Sequence, residues 1–408
     1  MKKLLLIFTI LSLCGKLSIA QNYYYSLEGP QQVVVPPTTG TVINNVNELI
    51  AGLKSDANLY LKAGNYQLSN TLYLDNLSNV TVTGQDGAVI TGNLVTLLQF
   101  RYSANSITFK NIGFNSTSNY TSVDNGVGIV YFDGSAEDIL FENCDFTCPK
   151  VVSNGLKFSA YPSSRSKNIT IRKCTFLDIG RMAIETQNHN SDDIPRITDV
   201  KVTECNFERL GLQSPYGMAI SLSGSGKNAD ISNNNISDAK DIGIENAGWN
   251  NITIANNTFS SQTTYGYGPI ICENEIADGG DQYIRNVVVT GNKGTVSGTG
   301  NHLVGMNNCD GLIYKNNSFN ADALFFGDVQ NSTITDNVHY SDGGIGLYVD
   351  ENSSYNTFEN NTFVTTGNYA DTVTFFPGST ENQMINNILT KEGQGGTLYN
   401  DLDGGNVR

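Results

Sequence analysis

The chain has 408 residues, of which 39% are hydrophobic, 10% aromatic and only 15% charged, with 24 Lys and Arg against 39 Asp and Glu. So little charge disfavours a helical bundle or coiled coil, and 20 Tyr with 18 Phe exclude plain disorder. The acidic balance argues against a nucleic-acid partner, because phosphate recognition needs clustered cations.

Residues 1–20, MKKLLLIFTILSLCGKLSIA, join Lys2 and Lys3 to an apolar run from Leu4 to Leu13, with small residues at Ser18 and Ala20. This is the make-up of a secretory signal peptide, with cleavage expected after Ala20 and a secreted or periplasmic destination. The run is too short to span a bilayer, so no membrane attachment is expected once it is removed. Removal takes away Lys2, Lys3 and Lys16 and leaves 21 basic against 39 acidic residues, a balance of −18. Residues 21–40 include VVVPPTTG and read as a leader or linker. Val46 to Leu53 has helical spacing and is expected to cap the first of a stack of strands, which would otherwise expose a sheet end.

From residue 41 to 395 a single domain is expected, built on one recurring pattern. Alternating apolar residues lead to a polar pair, a Cys or Asn, and an aromatic or apolar residue. Copies include ITFKNIGF (107–114), ILFENCDF (139–146), ITIRKCTF (169–176), VKVTECNF (200–207), ITIANNTF (252–259) and LIYKNNSF (312–319). Most copies are spaced by about 20 to 32 residues, the mark of a solenoid, and the alternation within each is the strand period. One position per copy reads Cys144, Cys174 and Cys205, then Asn234, Asn257, Asn317, Asn337, Asn361 and Asn387. A ladder of reduced, inward thiols is therefore expected to give way to a ladder of asparagines that satisfy buried backbone groups. Residues 396–408 are Gly-rich and are expected to form a loose tail.

A second series of strands accompanies the first: GLKFSAYP (155–162), RMAIETQN (181–188), GMAISLSG (217–224) and DIGIENAG (241–248). The alternation sends Leu156, Phe158, Met182, Ile184, Met218, Ile220, Ile242 and Ile244 inward. It turns Lys157, Ser159, Ala183, Glu185, Ala219, Ser221, Gly243 and Glu245 outward, which describes a shallow groove fit for a flat polymer.

Taken over about residues 40 to 390, the pattern resembles the right-handed parallel β-helix of pectate lyases, alginate lyases, polygalacturonases and phage tailspikes. The resemblance implies an all-β, right-handed parallel β-helix solenoid with a short N-terminal capping helix. It also implies a secreted, polysaccharide-degrading protein, expected as a monomer. The leading expectation is β-elimination in an acidic, uronate-containing polysaccharide. Lys157 would be the base and Arg181 would neutralise the carboxylate, with Glu185 and His189 beside them. Calcium, which the alginate-lyase resemblance brings with it, would find oxygen ligands in Asp192, Asp193 and Glu245. Tyr161 and Trp249 would stack on sugar faces, and Arg196 and Tyr216 would add further substrate contacts. One alternative is a glycoside hydrolase using Glu185 and Glu245, which lie two coils apart and so about 9–10 Å apart at the backbone. The other is a non-catalytic glycan-binding or adhesin-type solenoid.

Overall fold

The computed structural model describes residues 40–121, 126–189, 194–261, 268–274, 283–296, 303–321, 323–342 and 344–407. The expected signal peptide, almost all of the leader, and Asp192 and Asp193 lie outside these residues. The first coil is covered by the helix Val46–Gly52. Asn45 caps it by accepting from the Glu48 amide at 3.0 Å, and the Glu48 carboxylate accepts from the Asn44 amide at 2.7 Å. This reciprocal cap satisfies amides that a helix start leaves open, and Leu49 anchors the helix in the core.

Beyond the helix the described residues form strands in two sheets, one of 23 strands and one of 13. All pairings between the strands are parallel. Each coil gives two strands, or one long bent strand, to the larger sheet and one strand to the smaller. Neighbouring coils then stand about 4.8 Å apart. The chain turns at asparagines held in the left-handed region, where Asn is tolerated better than other side chains. Asn111, Asn143, Asn168, Asn251 and Asn316 have φ between 54° and 57°. Three of them, Asn168, Asn251 and Asn316, open Asn-x-Ser/Thr sequons, so the repeat itself accounts for those motifs.

Inside, like stacks on like. Phe114, Phe146, Phe176 and Phe207 form one column with ring centroids 5.0, 4.6 and 5.1 Å apart. The expected second column is present as well. Six cysteines, Cys144, Cys148, Cys174, Cys205, Cys272 and Cys309, are free and buried, and burial pushes the Cys148 and Cys272 thiols up to about 12. After Cys205 the column continues as Asn234, Asn257, Asn292, Asn317, Asn337, Asn361 and Asn387. Asn234 accepts from the Cys205 main-chain N–H, and each later rung's side-chain oxygen accepts from the main-chain and side-chain N–H of the rung before it, as Asn257 does from Asn234 at 3.0 and 2.9 Å. Asn292 is a rung that the sequence pattern passed over, and Asn356, Asn382 and Asn406 form a second ladder of the same design.

Two expectations are corrected. Met182, Met218 and Ile242 do not join the main core but gather with Ile271 in a separate apolar cluster. They stand at the corner where the chain enters the strand, before strict in–out alternation begins. The tail is not loose: Tyr399–Asp401 pairs in parallel with Val373–Phe375, and Val407 bridges Gln383. An open coil edge carries unpaired backbone groups, and these residues satisfy them.

Candidate functional site

The outward faces of six successive strands form the column that carries the charged cluster. In register, Tyr131 lies beside Lys157, Lys157 beside Glu185, Glu185 beside Ser221, Ser221 beside Glu245, and Glu245 beside Ile271. One straight column therefore holds Lys157, Glu185 and Glu245, with the two glutamates separated by the rung of Ser221.

The column is less open than alternation suggests. Lys157 faces away from the core yet is 1% exposed. Its ammonium lies 2.5 Å from Glu185 Oε2 and donates to Gln187 Oε1 at 2.6 Å. The same Glu185 oxygen accepts from Arg181 at 2.9 Å and from the Asn154 amide at 2.7 Å. Asn154 in turn accepts from Arg181 at 3.1 Å. Two cations and an amide thus converge on one carboxylate oxygen. The expectation of an outward, open Lys157 is corrected accordingly: it and Arg181 are both drawn inward by Glu185, because a buried charge must be paired.

Further along the same coils the register brings together Asp133, Ser159 and Gln187. The Tyr131 hydroxyl lies 3.2 Å from Asp133 and 3.3 Å from Ser159, and Gln99 donates to Asp133 at 3.0 Å. His189 Nε2 stands 3.2 Å from the Ser159 hydroxyl, and its ring stacks on Tyr161 at 5.0 Å with 6° between the planes. Burial, and then the nearby Lys157 charge, hold the imidazole below the usual histidine range. Tyr161 and His189 are exposed and form a stacked aromatic pair at the edge of the column. Tyr216, also exposed, lies 5.7 Å from the Arg181 guanidinium.

Two expected substrate contacts are not available. Arg196 is buried and turned to the carbonyls of Pro162 and Ile194, so it braces the loop that carries Tyr161. Trp249 is wholly buried in the core. Gly248, with φ of 107°, interrupts the strand alternation just before it, and the indole fills the space above Gly226, where a Cβ would come within 2.2 Å of Trp249 Cε2.

The sequence pattern gave no sign of Asp241. It occupies the position equivalent to Arg181 two coils earlier, with Gly217 between them. The register of Ile184, Ile220 and Ile244 sets this alignment. Burial pushes its carboxyl up to about 6. Arg181 spans the four residues to Glu185, and Asp241 stands the same four residues before Glu245. Glu245 itself accepts from the Ser221 hydroxyl at 2.5 Å. Of the residues expected to hold calcium, Asp192 and Asp193 lie outside the described residues, and no group of three or more His, Cys, Asp or Glu side chains comes together among the described ones. No helix among the described residues is long and apolar enough to cross a membrane.

Residues 160–321 match the family model of a right-handed β-helix region. The fold is a right-handed parallel β-helix. No curated protein matches the sequence. Among solved structures, PfbA, a surface adhesin of Streptococcus pneumoniae, is 14% identical with a TM-score of 0.57, covering 81% of this chain and 86% of its own. DFA-IIIase from Arthrobacter chlorophenolicus A6, solved in complex with GF2, is 11% identical with a TM-score of 0.56, covering 85% and 92%. A double mutant of the tailspike protein of the E. coli bacteriophage HK620 is 13% identical with a TM-score of 0.57, covering 85% and 74%. At these identities the likeness is one of fold, and an adhesin shares it with DFA-IIIase and a tailspike.

Proposed function

We propose that this β-helix binds a glycan along the Lys157–Glu245 column and hydrolyses a glycosidic bond there, with Asp241 as the acid and Glu245 as the carboxylate that activates water. The observation that carries this reading is the pair itself. Asp241 is a carboxyl kept partly protonated near pH 6 by burial. Glu245 lies four residues on, at the register position that Glu185 holds two coils away. Inverting hydrolysis needs two carboxyl groups about 6.5–9.5 Å apart with unlike proton affinities. Glu185, clamped by Lys157 and Arg181, fixes the shape of the floor.

The same clamp weakens the β-elimination reading, since Lys157 is closed off and bound to a carboxylate rather than poised over a sugar. It also shapes the substrate. With both cations turned to Glu185, the carboxylates of Glu245, Asp241 and Asp133 face the groove, which suits a neutral, hydroxyl-rich glycan better than a polyuronate. The likeness to an adhesin supports a second reading, binding without cleavage. A panel of neutral and acidic polysaccharides, scored for new reducing ends, for unsaturated uronate and for binding, separates the three. Hydrolysis predicts reducing ends without unsaturated uronate, lost in Glu245→Gln and Asp241→Asn while binding persists. Binding by the wild type with no new reducing ends would support the adhesin-like reading instead.

A further inference from the structure

The column that holds Glu185 and Glu245 does not end at the charged cluster. From Glu245 the register runs through Ile271, Gly305 and the coil of Ala323–Gln330 to Tyr348. Tyr348 is thus four rungs beyond Glu245, about 19 Å at 4.8 Å per rung. It is half-buried on the outer face, and its ring stacks on Phe376 of the next coil with centroids 4.1 Å apart and planes 26° apart. Strict alternation sends Leu347, Val349, Val373 and Phe375 into the core, so Tyr348 and Phe376 stand on the outer face of these two strands, while Tyr355 and Tyr369 are exposed elsewhere on the same coils. Between Glu245 and Tyr348 the column carries Ile271, Gly305 and the register position of Phe325.

We infer that Tyr348 and Phe376 form a distal sugar-binding platform, so that the groove holds an extended neutral glycan lying along the column with Glu245 inside its span. The inference rests on the glycan-hydrolase reading above and deepens it. The stacked Tyr161–His189 pair lies two to three rungs on the other side of Glu245, so the cleavage point is flanked by aromatic side chains in both directions. Aromatic faces meet the apolar faces of sugar rings, and the Tyr hydroxyl can meet their hydroxyls. Such contacts tolerate many sugars and give length preference more than sugar identity.

The test is affinity electrophoresis of the full mature chain in its Glu245→Gln form, through gels containing inulin, dextran, xylan or mannan. A length series of oligosaccharides from the retarding polymer is then titrated. Tyr348→Ala and Phe376→Ala should each weaken binding of the long members about three- to tenfold and leave the shortest members unchanged. Tyr161→Ala should weaken both. Circular dichroism and melting temperature of the Tyr348 and Phe376 variants check that the coils persist, and Tyr348→Phe should retain most of the affinity. Equal binding of long chains by wild type and Tyr348→Ala would overturn the platform while leaving the hydrolase reading intact. No cleavage of the retarding polymer by the wild type, with the length dependence intact, would do the reverse. No retardation in any gel would overturn the extended groove altogether.

Discussion

Removing the Glu185 carboxylate should reveal how the charged column is held. In Glu185→Leu the Lys157 ammonium, 1% exposed, loses the carboxylate 2.5 Å away, and Arg181 loses its acceptor at 2.9 Å. The Asn154 amide loses its acceptor at 2.7 Å as well. Breaking one side of a buried ion pair leaves an uncompensated charge and costs about 3–5 kcal/mol. Replacing both partners by apolar groups of similar volume is often close to neutral. Lys157→Met combined with Glu185→Leu should therefore recover much of the loss, with a coupling energy of about 1–3 kcal/mol. Urea unfolding monitored by circular dichroism and by fluorescence provides the cycle, provided the two probes coincide. A Glu185→Leu variant destabilised by less than about 1 kcal/mol would show that the carboxylate is solvated and that Lys157 is not locked by it.

The same packing sets other outcomes. Asn257→Ala removes two donated bonds, to Ile231 O at 2.9 Å and Asn292 Oδ1 at 3.0 Å, and the acceptor of two bonds from Asn234. With the Asn234 amide left buried and unmet, a loss of about 3–5 kcal/mol in chemical denaturation is expected. Gly226→Ala forces a methyl into the Trp249 indole and should cost about 1–3 kcal/mol, read as a lower melting temperature and a shifted emission from the single Trp. Asp241 gives a pH signature. Its folded pKa is raised to about 6, so between the ordinary carboxylate range and pH 6 the native state binds the extra proton. Stability should fall as pH rises across that window and then level off. The drop should be about 1–2 kcal/mol after allowing for partial exposure, and Asp241→Asn should abolish it.

The fold was legible because the repeat writes the same inward positions again and again. Cys144, Cys174 and Cys205, and after them Asn234 and Asn257, are spaced by coil length, and only a stack makes such spacing meaningful. The outward column of Lys157, Glu185 and Glu245 was legible for the same reason, since alternation sets which face a side chain takes. Alternation does not set exposure. Lys157 and Arg196 point away from the core yet are covered, because charged groups draw toward partners, a carboxylate for Lys157 and main-chain carbonyls for Arg196. Trp249 was misread because Gly248 breaks the alternation, a backbone event that leaves little trace in composition. Asp241 was passed over because it stands at a corner, before the strand pattern begins, and its significance comes from the burial of a short side chain at a position where Arg181 is long.

The assignment of Asp241 and Glu245 as the hydrolytic pair is tested most directly by the pH dependence of reducing-end release from a responsive polysaccharide, measured for the wild type, Glu245→Gln and Asp241→Asn. Wild-type release should decline as pH rises through about 6, where the Asp241 acid loses its proton. Both variants should lose nearly all release with unchanged melting profiles at neutral pH or above, and no unsaturated uronate should form at any pH. Unsaturated products, or wild-type rates in Glu245→Gln, would contradict the assignment.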